Sequence, residues 1–68
     1  MKKITPNATL IAAIKNVNPI ERKNAMIVAE RLVNENFTKL TAFNDFDEAT
    51  NIEMAMDSAA SEITYCFA

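Results

Sequence analysis

A chain of 68 residues, half of them hydrophobic, with one cysteine and no histidine, makes one small domain; it cannot close an internal disulfide, build a zinc site of the usual kind or assemble a histidine-based triad. Its lack of glycine removes the Gly-rich phosphate-cradling loops, and its apolar fraction excludes a disordered tail. The net charge of −2 hides a segregated layout: residues 1–40 hold all seven bases and three acids, while residues 41–68 hold six acids and no base.

The opening M-K-K-I-T-P-N-A-T-L-I-A-A-I-K starts basic, as a signal peptide does. Thr5, Pro6, Asn7 and Thr9 interrupt its apolar part, and no convincing cleavage site follows. No apolar run approaches the roughly 20 residues that a membrane span needs. A cytoplasmic protein with a reduced thiol is the expectation, without membrane contact.

The first helix is predicted over 6–17, with Thr5 as N-cap and Pro6 at the first helical position, where its missing N–H is harmless. Leu10, Ala13, Ile14 and Val17 then form one apolar stripe. A second helix is predicted over 19–35. In N-P-I-E, Asn18 caps, Pro19 takes the first position and Glu21 completes a capping box. Ala25, Val28, Ala29, Leu32 and Val33, flanked by Met26 and Phe37, cover about half of its circumference. The nearly all-apolar centre A-M-I-V-A points to a central helix covered from two sides. With glycine absent, asparagines 16, 18, 34, 36 and 44 are the expected helix ends, substituting where positive φ is wanted.

In F-T-K-L-T-A-F-N-D-F, Phe37, Leu40, Phe43 and Phe46 recur at threes. This suits a short helical or 3₁₀ connector at 38–43 whose aromatics plug one end of the core. Threonine and phenylalanine also suit a strand, although apolar residues do not alternate there. The last helix is predicted over 45–66, with Asp47 and Glu48 in the first turn, where the helix dipole favours acids. Ala49, Ile52, Met56, Ala59, Ile63 and Cys66 make a seam at spacings of three and four. The expected fold is all-α: three helices plus a short connector helix, associating as a helical dimer because a core this small is marginal alone. The acidic flanks of the last helix are expected to face the basic first half of the chain or of a second copy.

Few residues suggest chemistry. Cys66, on the seam near a helix C-terminus, reads as a buried structural thiol. D-F-D-E at 45–48 resembles the start of a calcium loop, but Thr50 and Met56 stand where that loop needs glycine and a bidentate acid. Glu53 and Asp57, four residues apart, supply too few ligands for a metal site. No cofactor, metal or catalytic constellation is expected, and the chain is not read as an enzyme.

By elimination the chain reads as a small helical protein–protein interaction module that acts by occupying a surface, as an inhibitor, adaptor or modulator. Met54, Tyr65, Ile27, Asp57 and Glu62 are the candidate partner contacts. In size and plainness it resembles the short accessory proteins of phages and plasmids that block host machinery, including anti-CRISPR and anti-restriction inhibitors, although no motif carries the likeness. The alternative is a nucleic-acid-associated regulator, an antitoxin-like or transcription-modulating dimer, using Arg22, Lys23, Lys2 and Lys3 on phosphates. A pI near 4.9 and the lack of an aromatic stacking set weigh against it. A third reading is a structural subunit of a larger assembly.

Overall fold

The structure is a computed structural model that describes residues 5–67. Three helices follow one another: α1 (Ala8–Lys15), α2 (Arg22–Phe43) and α3 (Glu48–Cys66). The fold is all-α, and the described residues contain no strand. Lys2 and Lys3 lie outside them.

α1 opens two residues later than Thr5-Pro6 suggests. Asn7 is the N-cap, and its Oδ1 accepts from the Leu10 amide at 2.9 Å. Asparagine caps better than threonine, and tertiary bonds hold this one in place. Asn7 Nδ2 donates to Glu53 Oε2 at 3.0 Å and to Asp57 Oδ1 at 3.3 Å, while its backbone N–H meets Met56 Sδ at 3.2 Å. Two acids of α3 therefore stand at the positive end of the α1 dipole. These acids meet a neutral amide and a helix terminus, so the bonds do not amount to the expected pairing of acidic flanks with a basic first half. α1 ends at Lys15, short of the predicted Val17, which is nonetheless buried in the bend that follows.

The second start signal is half realised. Asn18 Oδ1 accepts from the Ile20 amide, and Asn18 O accepts from the Glu21 amide at 2.8 Å. The segment thus closes as a tight turn, and α-helical bonding begins with Ala25 N–H to Glu21 O. The Glu21 side chain makes no capping bond, so the predicted capping box does not form.

α2 then runs 22 residues, through the predicted stop at 35 and through the proposed connector. Asn34 and Asn36 do not end it. Asn36 Nδ2 donates to Leu32 O, and Thr38 Oγ1 donates to Asn34 O, both at 2.9 Å. Polar side chains bonded back to carbonyls four residues earlier are accommodated inside a helix at a small cost. Asn44 does end it: its N–H bonds Leu40 O, and its Oδ1 takes the Phe46 amide. No described residue has positive φ, so these ends use no left-handed backbone: Asn18 and Asn44 accept through their side-chain oxygens, while Asn16 closes α1 with its backbone N–H on Ala12 O.

Residues 44–47 fold α3 back antiparallel to α2. Asp47 caps α3, its carboxylate accepting from the Thr50 amide at 2.8 Å, which sets the helix start at Glu48 and not 45. The Thr50 hydroxyl, and after it the Thr50 amide, hold the Asp47 carboxyl below its ordinary value of 3.8. A lowered pKa contributes stability that is complete above the ordinary value and is lost as the pH falls through the folded one. Asp47→Asn keeps an acceptor that does not titrate. Its melting temperature should therefore fall less than that of the wild type on acidification from about pH 5 to about pH 3. Equal losses would show that the cap does not contribute.

The core joins Leu10, Ala13 and Val17 with Ala25, Ala29 and Val33 of α2 and Ala55, Met56, Ala59, Ala60 and Ile63 of α3. Alanines on both long helices let their axes approach to roughly 8 Å, the lower end for packed helices. α3 has α2 on one side and α1 on the other, while α1 and α2 barely touch. The helix covered from two sides is therefore α3. Met26 and Ile27 of the A-M-I-V-A centre are exposed. With two neighbours, α3 buries a wider arc than the expected seam, adding Asn51, Ala55 and Ala60. Ala49 and Cys66, at the two ends of that seam, run beyond their cover and are exposed. Cys66 is thus not the buried thiol expected.

α1 has eight residues, about 12 Å of helix. It starts beside Met56, and its last carbonyls are held by Arg22, so it covers the half of the hairpin far from the 44–47 turn. The turn end is two helices thick. Phe37 and Leu40 pack there against the core, but Phe43 and Phe46 are exposed and plug nothing.

Candidate interaction surface

Because α1 meets α3 on the side of Glu53, Met56 and Asp57, the side chains rotated the other way are left free of it. Met54, Ser58, Ser61 and Tyr65 recur at spacings of four, three and four, forming one exposed stripe on α3. Met54 and Tyr65 are its large members, and Tyr65 is 87 % exposed.

The stripe has a neighbour on α2. In an antiparallel pair, residues rotated in the same sense from the contact line emerge on the same side. Met54, Ser58 and Glu62 each precede a buried residue: Ala55, Ala59 and Ile63. Val28 and Leu32 likewise precede the buried Ala29 and Val33, and Lys39 precedes the half-buried Leu40. One long side of the hairpin, turned away from α1, therefore combines half-buried Val28 and Leu32 with Met54, Tyr65, Glu62 and Lys39.

The other expected contacts lie elsewhere. Ile27 stands on the outer side of α2 beside exposed Met26, at a shallow open depression lined also by Glu30, Arg31, Asn34 and Glu35. Asp57 is turned to α1 and accepts from Asn7. The five candidates thus occupy three faces: the hairpin side holds Met54, Tyr65 and Glu62, the back of α2 holds Ile27, and the α1 junction holds Asp57.

Arg22 has a task within the chain. Its Nε donates to Val17 O at 3.1 Å and its Nη2 to Lys15 O at 2.8 Å, satisfying carbonyls near the end of α1, where a helix leaves acceptors without partners. Lys23 beside it is exposed. Sequence reasoning missed Ile20 and Phe43, which are 88 % and 92 % exposed. Ile20 could have been found from its place directly after Asn18-Pro19 in a turn. Phe43 keeps the helical register of α2's contact residues, and nothing local shows that α3 no longer lies opposite it.

Among the described residues, no group of three or more His, Cys, Asp or Glu side chains is placed to hold a metal ion. None of the described helices is long and apolar enough to cross a membrane. The surface offers apolar contact framed by charge. No protein-family model, no curated protein and no solved structure matches the chain.

Proposed function

We propose that the protein is a small helical interaction module that acts by occupying the surface of another protein, as an inhibitor, adaptor or modulator. One observation carries the reading: the outer side of α2 presents Met26 and Ile27, both more than half exposed, beside the depression edged by Glu30, Arg31, Asn34 and Glu35. Exposed apolar side chains with both signs of charge around them are what a partner's surface can bury as anchors. In size the chain resembles the short accessory proteins of phages and plasmids that block host machinery.

The nucleic-acid reading draws support from Lys15 and Lys23, exposed near the same end of the molecule. It is weakened by Arg22, whose donors are engaged on carbonyls. The test uses the wild-type chain and Ile27→Glu as baits in host lysate, with helicity checked by circular dichroism. The wild type should recover a specific protein, and Ile27→Glu should recover it at least about tenfold less at unchanged helicity, the loss of one well-buried anchor. Recovery of nucleic acid alone, or a protein retained equally by both baits, would overturn the proposal.

A further inference from the structure

We infer that the hairpin side carrying Val28, Leu32, Met54 and Tyr65 is covered by a second copy of this chain, laid antiparallel across a two-fold axis. The inference goes beyond the reading above and stands apart from it, because it leaves the Ile27 side of α2 free.

The spacing of the side chains carries it. In an isologous contact, residue i meets residue j and j meets i, so paired residues must be centred on one axis. On α2, Val28 and Leu32 are centred on position 30, and so are Glu21 and Lys39. On α3, Met54 and Tyr65 are centred between 59 and 60, and so are Ser58 and Ser61. The hairpin closes between Phe43 and Glu48, which sets position 30 opposite 61. The two centres therefore agree within about two residues, roughly 3 Å of helix rise. A single axis brings Val28 to Leu32 and Met54 to Tyr65, each pair twice.

At the two ends of α2 charge favours an antiparallel copy over a parallel one, although Glu62, exposed on the same side, lies within about two residues of the axis and meets its own like charge there. Glu21 and Lys39 are both exposed, stand at opposite ends of the α2 part of this side, and are of opposite sign. An antiparallel copy sets each Glu21 against a Lys39, whereas a parallel copy sets like against like. Ser58 and Ser61 between the two large residues let the α3 helices come close, and thioether against phenol ring is a favourable contact. One long side of a molecule of 38 × 22 × 17 Å presents at most roughly 600–800 Å² per protomer, so a copy covering all of it reaches the lower part of the roughly 1,200–2,000 Å² in total that specific interfaces bury. A domain of this length also gains from association, since its own core is thin.

The test is the mass of the intact chain against concentration, by light scattering and sedimentation equilibrium, with helicity recorded for each variant. The wild type should be a dimer at micromolar concentration. Met54→Asp should raise the dissociation constant at least about tenfold with its helices intact. Lys39→Glu should raise it by about three- to tenfold, and adding Glu21→Lys in the same chain should restore it, because the swap rebuilds both pairs with reversed sign. If Met54→Asp costs helicity, Tyr65→Ala, which alters a side chain almost wholly in solvent, serves in its place. A monomer up to millimolar concentration, a dimer indifferent to both Met54→Asp and Tyr65→Ala, or a Lys39→Glu defect that Glu21→Lys deepens would each overturn the inference. Capture of a partner by wild type but not by Ile27→Glu, from a chain that stays monomeric, would uphold the proposed function while this inference fails.

Discussion

Ile63→Ala should remove about 2–5 kcal/mol of folding stability, more than any exposed substitution in the chain. Ile63 is completely buried, and with Asn51 it is one of the two largest side chains in that state. It sits on α3, the helix with α2 on one side and α1 on the other. Truncation leaves a void facing side chains that cannot easily collapse into it, because the alanines around it are already small and held on rigid helices. A single core of this size supplies no more than about 3–5 kcal/mol in all, so the variant should be largely unfolded at room temperature. Urea titration followed by circular dichroism measures it. A loss below about 1 kcal/mol, the range of an ordinary surface change, would mean that α3 is not at the centre of the fold.

The second large effect has the opposite sign. Asn51 is a buried polar residue of the core, 2 % exposed, and its Oδ1 has no hydrogen-bond partner among the described residues. A buried acceptor left without a donor costs about 1–3 kcal/mol. Asn51→Leu keeps the branching at Cγ and removes that cost, against some overpacking from the added methyl volume. A net gain of about 1 kcal/mol is expected, which for a domain of this length raises the melting temperature by about 4–8 °C. The comparison belongs at fixed protein concentration, since association shifts melting by mass action. Asn51→Asp should do the reverse, placing a carboxylate where even an amide oxygen lacks a donor. A leucine variant that melts lower than wild type would show that the oxygen is satisfied in solution. The cost of Asn51 would then have to be explained by specificity, as a lone core asparagine fixes helix register in coiled coils.

Much of this architecture was legible in local chemistry. Apolar residues three and four apart mark all three helices, and Leu10, Ala25, Ala29, Met56, Ala59 and Ile63 are core members by that spacing alone. The failures share one form, in that each needed knowledge of a neighbour. Asn36 reads as a stop until its amide is seen bonded to Leu32 O. Thr5-Pro6 reads as a cap until Asn7 is seen held by Glu53 and Asp57, residues more than 45 positions away. Cys66 and Phe43 keep the phase of buried positions, and burial ends where the opposite helix ends.

The contact surface divides in the same way. Met54, Tyr65 and Ile27 were recognisable as large apolar side chains outside the seams, because helical phase follows from residue number. That Met54 and Tyr65 share a side with Val28, Leu32 and Lys39, while Ile27 does not, depends on α2 and α3 being antiparallel and on α1 choosing the opposite face. Periodicity states which way a side chain points from its own helix axis. Which helix, or which water, it meets there is set by long-range packing, whose energy is shared among residues distant in the chain and leaves no local mark.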